Sequence, residues 1–163
     1  MKTNNQNLRD TMNLDPTDIK LLKLLQEDAT LSNKELAEKL YKSIAAVHER
    51  VKKLKKAGYI KKTVAILDRN KIGIGLISFS QVFLKNHTFE ALNEFEREVS
   101  KFPEVMECYQ MAGSYDFMLR IATKDMEAYH KFLRHKLAVL PQVNTVQTYF
   151  VLSETKSETA YHF

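Results

Sequence analysis

Seven basic residues and no acidic residue lie in the segment from Arg50 to Lys62. A segment of this kind can neutralise the phosphates of a polyanion, and duplex DNA is the obvious candidate. The charge balance agrees, because residues 1–65 hold 14 Lys and Arg against 8 Asp and Glu, whereas residues 66–163 hold 11 against 12. The excess positive charge therefore belongs to the first part of the chain, although an unevenly charged soluble surface is the alternative interpretation.

Two short helices are predicted before this segment. Asp15 suits the cap of a first helix that ends near residue 28, since its side chain can accept a hydrogen bond from the first turn. Ser32 and Glu35 have the spacing of a capping box, which predicts a second helix running to about residue 40.

A third helix is predicted from Ser43 onward. Its apolar face is formed by residues spaced three and four apart, namely Ile44, Val47, Val51 and Leu54. Small and polar residues near its start would approach DNA bases or the adjacent backbone, and lysines toward its end would meet phosphates. The candidate DNA-binding residues are Ser43, Ala45, Ala46, His48, Glu49, Arg50, Lys52, Lys53 and Lys56. A solvated lysine face on an ordinary helix is the alternative, and His48 could equally be a solvated histidine.

The chain is predicted to form two domains. Gly58 is expected to end the third helix, and residues 59–66 are predicted to form a strand that makes a small wing. The predicted division is a helix-turn-helix domain over 1–66, a linker over 67–76 and a second domain over 77–163.

The second domain contains an internal repeat of helix, Pro-x-Val and strand. The two Pro-x-Val signals begin at Pro103 and Pro141, where proline stops each helix and β-branched residues start a strand. Phe89 and Met126 are among the residues predicted to face the core. The predicted elements are strand 77–85, helix 89–102, a strand from Val105, strand 116–123, helix 126–140 and a strand from Val143. This order predicts a ferredoxin-like βαββαβ domain, and the whole chain is predicted to be α+β with a winged helix-turn-helix at its N-terminus.

Both faces of the predicted sheet carry apolar residues. In strand 77–85, Phe79 and Phe83 have one parity, while Val82 and Leu84 have the other. Because helices cover only one face in this fold, we expect the second face to pack against another subunit, which makes the protein at least a homodimer.

Several classes of function have little support in the sequence. Cys108 is the only cysteine, so an internal disulfide and a multi-cysteine metal site are excluded, and a packed thiol is more plausible than a redox switch. The histidines are scattered, and no nucleophile–base pair or phosphate-binding glycine loop is found. No apolar run approaches the roughly 20 residues of a membrane span, and the polar N-terminus does not resemble a secretory signal. We therefore expect a cytoplasmic protein that is not an enzyme and holds no metal or cofactor.

The order and spacing of five short motifs resemble the Lrp/AsnC (feast/famine) family of transcriptional regulators, from Leu14 to about Glu158. The motifs are Leu14-Asp15 with Asp18, Glu49-Arg50-Val51 with Leu54, Gly58-Tyr59-Ile60, Gly113-Ser114-Tyr115-Asp116, and Pro141-Gln142-Val143 with Thr148-Tyr149. The resemblance implies a sequence-specific regulator with an N-terminal DNA-binding module and a C-terminal domain for effector binding and assembly. It also implies homodimers that assemble into octamers and a small effector, usually an amino acid, bound between dimers.

Carried onto this chain, the resemblance gives candidate effector-binding residues. They are Gly113, Ser114, Tyr115, Asp116, Gln147 and Tyr149. Asp116 would hold the ammonium group, or it would simply bond to its own turn at the start of a strand. An alternative function is an amino-acid sensor that acts through protein partners and has a degenerate DNA-binding domain.

Three positions depart from the family pattern. Tyr41-Lys42 stands in the turn where the family often has Gly, which predicts a strained backbone or a shifted turn. Ile44 follows the capping serine where Pro is usual. Ser114 stands where many members have an acidic residue, so less negative charge is available there for an amino group.

Overall fold

The structure, a computed structural model of the single chain, describes residues 14–163. The polar N-terminus and the start of the predicted first domain lie outside the described residues. The chain divides into two compact units: unit 1 contains residues up to Ala65 together with Ser157–Phe163, and unit 2 contains Ile66–Lys156. The C-terminal residues therefore group with the helical unit, whereas the predicted division gave them to the second domain.

Unit 1 is built from three helices: α1 (Pro16–Glu27), α2 (Asn33–Leu40) and α3 (Ile44–Lys56). Their N-caps are Asp15, Ser32 and Ser43, as predicted, and each cap side chain accepts a hydrogen bond from a backbone N–H of the first turn. Aliphatic side chains from all three helices form the core. They are Leu21, Leu22, Leu36, Ala37, Leu40, Val47 and Leu54.

Two predictions for this unit are wrong. Residues 59–66 form no strand, because the described part of unit 1 contains no other strand with which they could pair. Ile44 was placed on the apolar face of α3 but is 53% exposed, since the first turn of the helix extends beyond the core that encloses Val47 and Leu54.

The C-terminal tail lies against α1. The Gln26 side chain makes two hydrogen bonds with the backbone of Tyr161, donating from Nε2 to the carbonyl at 3.1 Å and accepting the N–H on Oε1 at 2.8 Å. Lys23 Nζ lies 5.5 Å from the centre of the Phe163 ring. These contacts explain why the tail belongs to unit 1.

Unit 2 is a four-stranded antiparallel sheet with two helices. Its elements are β1 (Leu76–Leu84), α4 (Phe89–Val99), β2 (Val105–Gln110), β3 (Phe117–Thr123), α5 (Met126–Phe132), a π-helical turn (Leu133–Leu137) and β4 (Val143–Phe150). The strand order is β2-β3-β1-β4, and Val82 on the central strand β1 pairs with Phe117 on β3 and with Val146 on β4. The predicted ferredoxin-like arrangement is confirmed.

The core of unit 2 lies between the two helices and one face of the sheet. Its fully buried aromatic side chains include Phe95 and Phe117, whose ring centres are 4.6 Å apart. Burying a side chain of this size contributes roughly 1.5–3 kcal/mol. Phe89 and Met126, predicted to face this core, are 70% and 44% exposed because they occupy the first position of their helices, before the helix reaches the sheet.

The second helix is shorter than predicted. After α5 the chain widens into the π-helical turn, in which the Ala138 N–H donates to the Leu133 carbonyl at 2.8 Å. A π-helical turn, with its i→i+5 hydrogen bonds, buries apolar residues at nearly the same spacing as an α-helix. The sequence pattern therefore could not distinguish the two. None of the helices within residues 14–163 has the length and apolar character needed to cross a bilayer.

The sheet has a second face, opposite α4 and α5. Phe79 and Phe83 alternate with the core-facing residues of β1 and are only partly buried. Arg120 and Glu107 form an ion pair of 3.5 Å on the same face. This face thus mixes aromatic and charged side chains, as interfaces between subunits do.

Candidate DNA-binding and effector-binding sites

The outer face of α3 presents the predicted DNA-binding residues to solvent. Val47 and Leu54 fix the inner face of the helix in the core of unit 1. The predicted residues that are exposed on α3 and its cap are Ser43, Ala45, Ala46, His48, Glu49, Lys52, Lys53 and Lys56, and Ile44 and Lys55 of this helix are exposed too. The start of this face is small and neutral, and its end is cationic. That polarity also suits the helix itself, because cations stabilise the negative C-terminal end of the helix dipole.

Arg50, which is predicted to contact bases or the adjacent backbone, makes two ion pairs within unit 1. Its Nη1 donates to Asp15 Oδ2 at 2.5 Å and to Asp18 Oδ1 at 2.6 Å. The side chain of Asp18 is only 6% exposed, so this pairing is largely shielded from water. Arg50 therefore ties α3 to the N-terminal end of α1, which fixes the angle at which α3 is presented.

The charges in this link are stabilised by one another. The Asp18 backbone N–H and the Arg50 guanidinium hold the pKa of Asp15 below its ordinary value. The hydrogen bonds that Arg50 donates to Asp15 and Asp18 raise the pKa of Arg50 further above its already high ordinary value. Both shifts favour the charged forms of Asp15 and Arg50, so the ion pair between them is intact at neutral pH.

His48 is held by α2. Its Nδ1 lies 3.2 Å from Nδ2 of Asn33, the first residue of α2. Because an amide NH2 can only donate, Nδ1 is the acceptor and the proton of a neutral ring is assigned to Nε2. The exposed Nε2–H can then donate to an anionic oxygen such as a phosphate.

The predicted effector loop closes the hairpin between β2 and β3 and is fastened to the end of β1. The Asp116 carboxylate accepts the Leu84 backbone N–H on Oδ2 at 2.8 Å, and His87 Nε2 lies 2.9 Å from Oδ1. The Asp116 N–H donates to the Val82 carbonyl at 3.0 Å. Asp116 thus bonds to the neighbouring strand as well as to its own turn, and its remaining lone pairs are still available to an ammonium group.

The structure brings only part of the predicted effector set together. The Tyr115 ring packs edge-on against Phe83, with centres 6.3 Å apart. Gln147 and Tyr149 lie across β1 on β4, where they pair with Gln81 and Phe79. Phe79 and Phe83 are four residues apart, which is about 13 Å along a strand, so within one chain Tyr149 is remote from the loop.

Two residues at this loop were missed by sequence reasoning. Phe83 was noted only as an apolar strand residue, and His87 only as one scattered histidine. The contact of His87 with Asp116 joins positions 29 residues apart in the chain, for which no local pattern exists. Gly113 and Ser114 form the exposed tip of the loop, and a side chain at Gly113 would meet no neighbouring atom.

Other chemistry is not concentrated anywhere in the described chain. Among residues 14–163, no three His, Cys, Asp or Glu side chains come together in a way that could hold a metal ion. Burial raises the pKa of the Cys108 thiol to about 11, and its side chain packs beside the core of unit 2. Such a thiol is protonated and unreactive at neutral pH.

Comparison with known proteins gives a consistent result along the chain. Residues 14–61 match the family model of a winged helix-turn-helix DNA-binding domain, and residues 77–161 match that of the Lrp/AsnC ligand-binding domain. The transcriptional regulator AzlB of Bacillus subtilis is 41% identical over 143 residues, covering 88% of this chain and 91% of its own. The leucine-responsive regulatory protein of Escherichia coli K12 is 34% identical over 143 residues, covering 88% and 87%.

Solved structures agree with these sequence matches. A transcriptional regulator of Neisseria meningitidis, crystallised as a complex with L-Met, superimposes with a TM-score of 0.87 at 34% identity, covering 92% of this chain and 97% of that one. The matched residues include both the helical unit with α3 and the sheet unit with the 113–116 loop. The chain therefore belongs to the Lrp/AsnC family of DNA-binding transcriptional regulators, which are not enzymes.

Proposed function

We propose that this regulator reads a DNA sequence with α3, and that an amino acid bound by unit 2 controls its assembly or its DNA binding in the cytoplasm. The observation that carries the proposal is the outer face of α3, where small residues at one end adjoin lysines at the other. Small side chains allow close approach to base edges, while lysines supply the charge that displaces counterions from phosphates.

The contacts within unit 1 support a fixed orientation of α3 for DNA recognition. Arg50, near the middle of α3, cross-links this helix to the start of α1 through two carboxylates, in addition to the packing of Val47 and Leu54 in the core. Lys52, Lys53 and Lys56 are exposed and free to meet phosphates, whereas Arg50 is engaged inside the unit. We therefore assign phosphate contacts to the lysines and the orientation of the helix to Arg50.

For the effector, the proposal rests on the 113–116 loop and on relatives. The Neisseria relative was crystallised with L-Met, and the E. coli relative is named as leucine-responsive. In this chain Asp116 offers a carboxylate beside an aromatic pair formed by Tyr115 and Phe83. This is suitable chemistry for the ammonium group and apolar side chain of an amino acid.

We further propose that the second face of the sheet forms a homodimer interface and that dimers assemble into octamers. Phe79 and Phe83 leave aromatic surface on a face that neither helix of unit 2 covers. A dimer would present two copies of α3 to two half-sites of DNA. It would also bring Tyr149 of one subunit toward the loop of another, although Tyr149 is remote from the loop of its own chain.

Selection of duplexes from a randomised pool, followed by anisotropy titrations at several salt concentrations, tests DNA binding. We expect a recurring sequence to be enriched and the affinity to fall steeply with salt. The same protein with Lys53→Ala should bind every sequence more weakly, while Lys20→Ala, which removes an exposed charge from α1, serves as the matched control. If the protein retains no duplex even at low salt, the proposal is contradicted.

A thermal-shift screen against the twenty amino acids tests the effector. A ligand at 100 times its Kd stabilises the folded protein by about 2.7 kcal/mol, which is a readily measured shift. Asp116→Asn should abolish the shift given by the best amino acid, whereas Glu98→Gln on the outside of α4 should leave it unchanged. If no amino acid shifts the melting temperature, the proposed amino-acid effector is wrong. A clear shift in a protein that does not bind DNA would favour a sensor that acts through protein partners.

A further inference from the structure

The turn before α3 carries an unusual residue for its backbone. Tyr41 has φ 53° and ψ 48°, in the left-handed region, and it is the one non-glycine residue with positive φ among those described. Its ring is 90% exposed. The conformation costs an ordinary residue roughly 1–2 kcal/mol, which glycine would not incur.

Among the described residues of unit 1, no contact accounts for a tyrosine ring at this position. The turn itself is held by backbone bonds, in which the Tyr41 N–H donates to the Glu38 carbonyl at 3.3 Å and the Lys42 N–H to the Ala37 carbonyl at 3.0 Å. A glycine would make the same two bonds. At 90% exposure the ring gains little from packing against the described residues, and nearly all of its surface is available for contact with a partner.

Ile44 supplies a second apolar side chain at the same place. It is the first residue of α3 and is 53% exposed, although the next apolar residue on that helix, Val47, is fully buried. Tyr41 and Ile44 lie on either side of Lys42 and the capping Ser43, at the start of α3, so one exposed lysine stands between the two apolar side chains. Apart from Lys42, the lysines of this region lie in the second half of α3, so the two apolar side chains are separate from the proposed phosphate-binding part.

We propose that Tyr41 and Ile44 form an apolar tip that packs against thymine methyl groups in the major groove and makes the protein prefer thymine at that end of each half-site. This inference rests on the proposed DNA binding and adds a determinant of base preference to it. Only thymine places a methyl group in the major groove, and apolar side chains are its natural partners. Release of the Tyr41 ring from water on binding would offset the strain of its backbone.

Replacing thymine by uracil in a duplex tests the contact, because it removes the methyl group and leaves the hydrogen-bonding pattern intact. The probe is a duplex selected by the wild-type protein from a randomised pool, with each thymine changed to deoxyuridine in turn. We expect at least one position in each half-site at which the change weakens binding about fourfold, the value for one buried methyl group. Equal affinity at every position would overturn the proposal.

Substitutions of Tyr41 and Ile44 then test whether the apolar tip contacts the thymine identified in this way. Tyr41→Gly and Ile44→Ala should each weaken binding to the thymine duplex and reduce the fourfold ratio toward one. Lys53→Ala should weaken binding to both duplexes and keep the full ratio, and Tyr161→Gly, which removes an exposed tyrosine from the C-terminal tail, should change neither. An undiminished ratio in both tip variants would overturn the proposal while leaving DNA binding itself in place.

Thermal unfolding shows whether weaker binding by a Tyr41 variant arises from the lost contact or from a folding defect. Tyr41→Gly should melt at the same or a higher temperature than the wild type, because glycine relieves the left-handed strain. Tyr41→Asn, which also tolerates this conformation, should behave like the glycine variant in both binding and melting. Weaker binding by a variant that is at least as stable supports the tip, whereas unchanged binding by both variants excludes Tyr41 from it.

Discussion

Replacing Arg50 by Met should loosen α3 from α1. Methionine keeps most of the length of the side chain but cannot donate to Asp15 or Asp18. The Asp18 carboxylate is 6% exposed, and leaving a buried acceptor without its partner costs about 1–3 kcal/mol. The pair with the more exposed Asp15 adds little, because water screens it. Local opening of α3 should therefore become roughly fivefold to 150-fold more frequent.

Hydrogen–deuterium exchange of the full chain at neutral pH measures this opening directly. Peptides covering α1 and α3 should exchange faster in Arg50→Met, while peptides from unit 2 report whether the effect is local. Lys52→Met is the matched control, since it removes one exposed positive charge from the same helix and should leave α3 unchanged.

A double substitution tests whether the loss arises from the ion pair. Once Asp18→Asn has removed the negative charge, adding Arg50→Met should cost much less than it does in the wild type. Arg50→Lys should recover only part of the protection, because the lysine side chain is one bond shorter and does not place its ammonium where Nη1 of Arg50 meets both carboxylates. If α3 exchanges at the wild-type rate in Arg50→Met, the structural role of Arg50 is refuted. Arg50 would then again be a candidate for contact with DNA.

Three further outcomes are expected. Lys53→Ala should flatten the dependence of log affinity on log salt by about 0.9 for one lost phosphate contact, with Lys20→Ala unchanged; an unaltered slope would remove Lys53 from the interface. Because the pKa of Asp15 is lowered on folding, its stabilising effect is present above the ordinary value of 3.8 and is lost as pH falls through the lowered one. Acid unfolding of the wild type should therefore depend on pH more steeply in that range than unfolding of Asp15→Asn. Cys108, with a pKa of about 11, should react with iodoacetamide at pH 8 roughly 100-fold more slowly in the native protein than in urea; equal rates would contradict its burial.

Features that depend on neighbouring residues were predictable. The caps at Asp15, Ser32 and Ser43 each satisfy a backbone donor three residues away, so local sequence alone identifies the helix starts. The Pro-x-Val signals at Pro103 and Pro141 likewise mark where each helix of unit 2 ends and a strand begins. The element order, and from it the ferredoxin-like sheet, follows from these local signals.

Features that depend on distant partners were not predictable. Residues 59–66 have the composition of a strand, but a strand forms only where a second one offers a hydrogen-bonding edge. Ile44 fits the apolar spacing of α3, yet its exposure depends on where the core of the other two helices ends. The pairing of Asp116 with Leu84 and His87 needs β1 and the hairpin to be adjacent in the folded sheet.

The sequence by itself determined the helix starts, the order of the elements, the positive charge on α3 and the family of the protein, because each is written in residues close together in the chain. Tertiary structure decided which of those charges face outward. Arg50 and Lys53 are both cations on one helix, but only Arg50 lies opposite carboxylates brought from 32 and 35 positions away. That packing converts one cation into a cross-link and leaves the other free in solvent, and charge alone cannot distinguish them.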